Sequence, residues 1–121
     1  MIRSGIIDAP IARKENSIIE RCVSSEGQFA RTHYKVLKEF DNYCLVECKL
    51  ETGRTHQIRV HMSHLGHPLL GDSLYNQNDN STSLINRQAL HSYKMEFMHP
   101  ISKNKILLEA EIPEDMKKLI I

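Results

Sequence analysis

The residues best equipped for chemistry lie in one ten-residue segment near the middle of the chain, Thr52–His61, with the sequence TGRTHQIRVH. Its arginines and glutamine can donate hydrogen bonds to anions, and its histidines can carry protons near neutral pH or bind metal. Polar groups of this kind cost free energy beside an apolar helix face unless they are hydrogen-bonded. We therefore expect this segment to serve a functional site.

Apolar residues recur in this region at the spacing of an α-helix, which predicts one main helix over about residues 54–65. Its core-facing side chains are predicted to be Ile58, Met62 and Leu65. Gly53 would allow a tight turn from strand to helix, and Thr55 would cap the first turn. Gly66 would end the helix in a backbone conformation that residues with a Cβ atom disfavour.

Arg59 lies at the border of the predicted apolar stripe, about 100° around the helix from Ile58. A partly desolvated guanidinium needs an anionic partner, because a buried unpaired charge is expensive. The position therefore predicts a carboxylate or a phosphate beside Arg59. A surface arginine whose stem covers apolar neighbours is the alternative that the residues leave open.

The histidines allow a second interpretation, because His61, His64 and His67 recur every three residues. A helix that ends near Gly66 would separate His67 from the face that the three would have to share, and the paired Cys/His motifs of zinc sites are absent from the sequence. The sequence also has no phosphate-binding loop, no dinucleotide fingerprint and no nucleophile elbow. We therefore predict no metal ligand, and nucleotide hydrolysis, dinucleotide binding and serine hydrolysis lose their usual sequence signs.

Length and composition predict a single domain that is globular, with 121 residues, 40% hydrophobic and 26% charged. The formal net charge of +1 means that any binding to nucleic acid must come from local clusters of basic residues. Three cysteines, an odd number, and the absence of a long apolar run predict a reducing cytoplasmic location with no membrane contact.

Alternation of polar and apolar residues predicts strands on both sides of the helix. The expected strands lie at about residues 6–10, 17–23, 30–40, 43–50, 89–97 and 105–112. Asp41-Asn42 predicts a hairpin turn between the third and fourth strands, and Cys44 and Cys48 would be buried on one strand face. A loop over residues 76–86 and a short helix after Pro113 complete the pattern. The expected fold is α+β, with a mixed, mostly antiparallel sheet, one main helix and a short C-terminal helix.

The Thr52–His61 segment, followed by GHPLLGD at residues 66–72 and by Tyr75, closely resembles the third motif of the RluA/RluD-type pseudouridine synthases. This family modifies large-subunit ribosomal RNA and some transfer RNA. Further landmarks follow in family order over essentially the whole chain: APIAR at 9–13, AxTxYxVL at 30–37, RQALH at 87–91, His99-Pro100 and Ile112-Pro113. The resemblance implies that residues 1–121 form one partial domain, the C-terminal half of the synthase catalytic fold.

The resemblance also implies a cofactor-independent isomerase that detaches uracil from its ribose, rotates it and rejoins it through carbon. The family's catalytic aspartate lies in a His-Arg-Leu-Asp motif upstream of the matched region, and these 121 residues contain no such tetrapeptide. Arg59 matches the arginine that pairs with this aspartate. Without it, Arg59 is expected to pair with solvent, a bound anion or a substitute carboxylate. The residues expected on the substrate and RNA side are Arg54, His56, Gln57, Arg87, Gln88, Leu90 and His91.

Helix capping and packing remain alternatives for Arg54, His56 and Gln57. The chain by itself is predicted to be inactive, while its parent would convert uridine to pseudouridine in ribosomal or other structured RNA. A non-catalytic RNA-binding or assembly module with the synthase shape is the alternative function. Strand edges exposed in a partial domain predict that the chain associates with itself.

Overall fold

The computed structural model describes residues 3–17, 19–40, 43–76, 85, 87–92, 94–98, 105–109 and 111–120. The strands are β1 (Ser4–Asp8), β2 (Ile11–Arg13), β3 (Arg21–Val23), β4 (Arg31–Glu39), β5 (Cys44–Leu50), β6 (Lys94–Met98) and β7 (Lys105–Glu109). The helices are α1 (Gln57–His64) and α2 (Glu114–Ile120). The predicted α+β class, with a main helix and a short C-terminal helix, is confirmed.

The described strands form three antiparallel sheets rather than one mixed sheet, with the orders β1-β4-β5, β2-β3 and β6-β7. The break between the first two sheets falls at Pro10. The backbone N–H of Ala9 still donates to Ala30 O at 3.2 Å, but proline has no N–H to continue the ladder. The chain then continues as β2 and pairs with β3, which is shorter than the strand predicted over residues 17–23.

The β4-β5 hairpin follows the predicted alternation, since Thr32, Tyr34 and Val36 on β4 are all buried. The register shifts between Val36 and Lys38, which marks a bulge, and Leu37 at this bulge is 48% exposed. Phe40 N donates to Tyr43 O at 2.8 Å where the two strands meet. The predicted turn residues 41 and 42 lie outside the described part of the chain.

The core lies between the three-stranded sheet and α1. One buried cluster contains Ile7, Ala9, Tyr34 and Met62. A second contains Ile11, Ala30 and Val60. The two clusters fix α1 against both β4 and β3, so side chains on the first turn of α1 are held at the junction of the two sheets.

The start of α1 differs from the prediction. The helix begins at Gln57, and the N-cap position is His56 rather than Thr55; His56 has a left-handed backbone (φ 56°) and makes no side-chain capping bond. A Cβ atom on Gly53 would meet no other atom within 4 Å, and Gly53 has no positive φ, so the turn does not require glycine there. Gly66, with φ +93°, ends the helix as predicted.

The buried face of α1 is also rotated from the predicted one. Its buried residues are Gln57, Val60, His61 and Met62, whereas Leu65 is 36% exposed. The apolar pattern missed two polar members of this face because hydrogen bonds inside the fold satisfy them. Ile58 is half-buried and packs against the first core cluster.

Cys44 and Cys48 are half-buried on β5 rather than fully buried, and burial, with a smaller effect from Glu47, raises the pKa of Cys48 to about 11. The predicted pairing of the last two strands is confirmed by β6 and β7. The predicted His99-Pro100 landmark and most of the loop over residues 76–86 lie outside the described residues. No helix in the described ranges is long and apolar enough to cross a membrane.

Candidate active site

Arg59 has the carboxylate partner that its position predicted, and the partner is Asp72. The guanidinium donates from Nε to Oδ2 and from Nη2 to Oδ1, both at 2.9 Å. The side chain of Arg59 is 13% exposed and that of Asp72 is 0% exposed. A two-point pair that is shielded from solvent is the strong form of an arginine–carboxylate contact. Hydrogen bonding to Asp72 raises the pKa of Arg59, so the guanidinium stays charged.

Asp72 is held by its own loop as well as by Arg59. Its Oδ1 accepts from the backbone N–H groups of Leu74 and Tyr75, each at 3.1 Å. Burial raises the pKa of Asp72, but the Arg59 pair and these two N–H groups lower it by more, so the pKa lies below its ordinary value. Asp72 is therefore an ionised carboxylate with a fixed orientation.

Tyr75 joins Arg59 to the start of the helix. The Arg59 guanidinium carbon lies 5.1 Å from the centre of the Tyr75 ring, within the range of a cation–π contact. The Tyr75 hydroxyl accepts from Arg21 N at 2.9 Å and lies 2.8 Å from His56 Nδ1. Four side chains, from His56, Arg59, Asp72 and Tyr75, thus form one contiguous cluster, which we call the Arg59 cluster.

His56 contributes to this cluster at a cost in backbone strain. A left-handed backbone is unfavourable by about 1–2 kcal/mol for a residue with a Cβ atom. The conformation directs the imidazole toward Tyr75, with the rings edge to face at 5.7 Å between centroids. Burial, then the charges of Arg59 and Arg21, lower the pKa of His56, which favours the neutral imidazole. Strain retained at such a position is typical of functional sites.

A buried relay of hydrogen bonds positions the helix that carries Arg59. Gln57 Oε1 accepts from Thr52 Oγ1 at 2.7 Å and from Arg54 N at 3.0 Å, and its Nε2 donates to Thr32 Oγ1 at 3.0 Å. Gln57 was a candidate for RNA contact, but it is 3% exposed and its amide is committed to this relay. Gln57 therefore packs inside the fold, which is the alternative that the sequence left open.

The relay continues to His61, which is 0% exposed. Its Nε2 lies 2.8 Å from Ala9 O, a pure acceptor, so Nε2 carries the proton; Nδ1 then accepts from the Thr32 hydroxyl, also at 2.8 Å. Burial lowers the pKa of His61, against a smaller opposing effect of the Ala9 bond. Because both ring nitrogens are used, His61 is closed to metal. Within the described ranges, no group of three or more His, Cys, Asp or Glu is arranged to hold a metal ion.

The remaining predicted residues lie in two separate segments of the chain, at Arg54 and at residues 87–91. Arg54 is half-buried and donates from Nε to Phe29 O at 2.8 Å. Arg87 makes a two-point pair with Asp115 of α2, at 2.9 and 2.8 Å, and also donates to Gln88 O. Gln88, Leu90 and His91 are half-buried.

The segment that carries Arg87 packs against the residue next to Asp72. Ala89 N donates to Leu70 O at 2.9 Å, and a Cβ atom on Gly71 (φ +71°) would lie 2.1 Å from Arg87 O. Only glycine permits this approach. The fold thus places the Arg87 segment next to the Asp72 loop, although the described contacts do not join its side chains to Arg59.

Three residues of this arrangement had no predicted role: Asp72, Tyr75 and Arg21. The spacing Gly71-Asp72-x-x-Tyr75 contains a usable signal, because an aspartate often accepts from backbone N–H groups two and three residues ahead. Arg21 has no such signal, since its backbone contact with Tyr75 joins residues that are 54 positions apart in the chain.

The sequence that forms this site matches a known protein family. The family model described as RNA pseudouridylate synthase matches residues 1–64, more than half of the chain and all of the sequence from β1 through α1. The chain belongs to this family. Pseudouridylate synthase relatives with curated names also extend beyond α1 to the Asp72 loop, because they align with nearly the whole chain.

Among these synthase relatives, the Bacillus subtilis (strain 168) protein named "Uncharacterized RNA pseudouridine synthase YjbO" is 52% identical over 116 residues, which cover 96% of this chain and 40% of YjbO. The Nitrosomonas europaea protein named "Ribosomal large subunit pseudouridine synthase D" is 44% identical over 124 residues, covering 98% of this chain and 36% of that protein. The chain therefore spans about two fifths of the length of these relatives, and it is similar to the RluD type.

Solved synthase structures share the fold. Human RNA Pseudouridylate Synthase Domain Containing 1 superposes with a TM-score of 0.75 at 28% identity, over 90% of this chain and 48% of that chain. Human RNA Pseudouridylate Synthase Domain Containing 4 superposes with a TM-score of 0.67 at 23% identity, over 95% of this chain and 54% of that chain. The α+β arrangement described above is thus the arrangement of part of a pseudouridylate synthase domain.

Proposed function

We propose that this chain is the C-terminal part of the catalytic domain of an RNA pseudouridine synthase, acting on ribosomal RNA, and that it supplies Arg59 to an active site whose aspartate lies in a preceding segment. Residues 1–121 would then be one partial domain, inactive alone. The observation that carries the proposal is the Arg59 cluster, because it holds a charged guanidinium rigidly within a segment shared with the family.

Arg59 retains donors for a second carboxylate. The pair with Asp72 uses Nε and one Nη2 proton, and among the described residues both Nη1 protons and the other Nη2 proton have no acceptor. A catalytic aspartate that accepts hydrogen bonds from these Nη1 and Nη2 protons would be kept ionised and oriented by the guanidinium. Asp72 has a different function in this proposal: it fixes Arg59, and its own oxygens are occupied by Arg59 and the backbone of residues 74 and 75.

A tritium-release assay tests the proposal, because moving the glycosidic bond of uridine from N1 to C5 releases the C5 hydrogen to water. The substrate is a ribosomal RNA transcript tritiated at C5 of uridine. The proteins are the 121-residue chain and a chimera in which the part of YjbO that precedes the aligned segment is joined to this chain. We expect release by the chimera and none by the chain alone.

Variants of the chimera locate the contribution of Arg59. Arg59→Gln should lower the rate by roughly 10²-fold or more, as expected for the loss of one preorganised charged donor. Arg59→Lys keeps the charge without the fork and should restore only part of the rate. Arg3→Gln is the matched control, because Arg3 is exposed and pairs with Glu39 at the far end of β1.

Release of tritium by the 121-residue chain alone would refute the need for an aspartate from a preceding segment. A chimera that folds and binds RNA without releasing tritium would favour the alternative, a non-catalytic RNA-binding module with the synthase shape.

We also infer that the chain associates with itself through β5. In the described sheet β5 pairs only with β4, and Leu50 at its end is 48% exposed. A strand edge with no strand partner among the described residues is a template for pairing with another chain. Light scattering should show dimers or larger species, shifted toward monomer by Leu50→Lys; a monomer at high concentration would contradict the inference.

A further inference from the structure

Two arginines oppose each other in the β2-β3 pair. Arg13 and Arg21 are Cα partners in the antiparallel register, so their side chains share one face. Like charges in this relation are destabilising. The neighbouring residues Lys14 and Glu20 have opposite charges and form an ion pair at 3.2 Å. For Arg13, in contrast, the described part of the chain provides no carboxylate within ion-pair distance.

The same two arginines line an open depression of about 260 Å³, together with Arg54 and Thr55. Glu26 is the one acidic residue among its lining residues. Three arginines against one glutamate make this depression strongly basic, in a chain whose formal net charge is only +1. Charge of one sign in a concave surface concentrates the field and attracts anions.

The shape of the depression depends on a close approach of two backbones. A Cβ atom on Gly27 would lie 2.5 Å from the carbonyl carbon of Ile11, so glycine alone allows the loop after β3 to pass this close to β2. Two hydrogen bonds of 2.9 Å between Ile11 and Gln28 hold this contact in place. The arginines therefore stand on a fixed backbone framework.

The depression adjoins the Arg59 cluster. Arg21 N donates to the Tyr75 hydroxyl, and His56, which follows Thr55 in the chain, contacts the same hydroxyl. A polymer that extends from the Arg59 cluster toward Thr55 reaches the three arginines next. An open basic surface next to a reaction site suits a polyanion more than an enclosed small molecule.

We propose that this depression binds the phosphodiester backbone of the RNA beside the uridine to be modified, with Arg13, Arg21 and Arg54 on phosphate oxygens. The proposal rests on the proposed function for the identity of the ligand as RNA. Such contacts position the substrate and do not read its sequence.

Salt dependence of binding tests the proposal on the 121-residue chain. The affinity for a fluorescein-labelled, uridine-containing RNA stem-loop is measured by fluorescence anisotropy between ~50 mM and ~200 mM KCl. Each phosphate contact contributes roughly 0.7–0.9 to the slope of log affinity against log salt. Raising the salt over this range should therefore weaken RNA binding by Arg13→Gln about threefold less than it weakens binding by the unchanged chain.

Two further variants separate a specific contact from general charge. Lys35→Gln removes the same charge from β4, where Lys35 is exposed and lies beside Ser4, at the end of β1 remote from β2; it should leave the slope unchanged. Glu26→Gln removes the acidic group of the depression and should tighten binding. Tighter binding cannot result from a loss of fold.

Three outcomes would overturn the proposal: no binding by the unchanged chain at low salt, equal slopes for Arg13→Gln and Lys35→Gln, or displacement of the RNA by uridine monophosphate at constant ionic strength. The last would assign the depression to a small anion. Because tritium release is measured on the chimera and binding on the short chain, each proposal can fail separately.

Discussion

Replacing Asp72 by asparagine removes the negative charge of the Arg59 cluster while nearly preserving its shape. The amide oxygen can still accept from Leu74 N and Tyr75 N, as Oδ1 does now. The amide nitrogen then stands where Oδ2 accepts from Arg59 Nε, so two donors face each other across 2.9 Å. Turning the amide over restores that bond only by losing the two from the backbone.

The expected cost follows from the burial of the pair. Removing one partner of a buried ion pair costs about 3–5 kcal/mol, because the other charge remains buried without compensation. The Arg59 side chain is 13% exposed, so water can partly compensate it, and we expect the lower end, about 3 kcal/mol. This is a large share of the roughly 5–15 kcal/mol that stabilises a typical domain.

Urea unfolding followed by far-ultraviolet circular dichroism measures the change, since the chain contains no tryptophan. A double-mutant cycle with Arg59→Gln isolates the pair, and we expect a coupling energy above about 1.5 kcal/mol. Glu39→Gln is the control, because the side chains of its ion pair are exposed, 71% for Arg3 and 56% for Glu39. This substitution should change stability by less than about 1 kcal/mol. A coupling energy below ~0.5 kcal/mol, the usual deviation from additivity, would refute the reasoning.

Two further predictions concern pH and glycine. Burial lowers the pKa of His61, so between that pKa and about 6.5 the unfolded chain binds more protons than the folded chain. The free energy of unfolding should therefore fall as the pH drops below about 6.5, and it should fall less steeply in His61→Gln. Equal slopes of unfolding free energy against pH in the two proteins would contradict this. In the same urea assay Gly71→Ala should destabilise the chain most, because it combines a left-handed backbone with a 2.1 Å contact. Gly66→Ala, which has open space and φ +93°, should cost about 1–2 kcal/mol of folding stability, and Gly53→Ala should be neutral or stabilising by up to ~1 kcal/mol. A different order of the three variants would contradict the backbone argument.

Local pattern was enough for much of the secondary structure. Alternation in β4 and β5 follows from the two-residue period of a strand, and the end of α1 at Gly66 follows from the freedom of glycine at positive φ. The start of α1 was misplaced by three residues because His56 adopts a left-handed backbone that its residue type does not signal. The buried face was misjudged because Gln57 and His61 are polar, and only their partners from distant segments allow them to be buried.

The sequence by itself determined that Arg59 needs an anion, since a guanidinium at the edge of an apolar stripe cannot remain unpaired at low cost. It also determined the family, because the Thr52–His61 segment is specific. Only the tertiary structure decided that Asp72 is the anion and that Tyr75 packs on the guanidinium. The same holds for the opposition of Arg13 and Arg21, which comes from strand register. These contacts join residues that are distant along the chain, and periodicity within a segment carries no information about which distant segment packs against it.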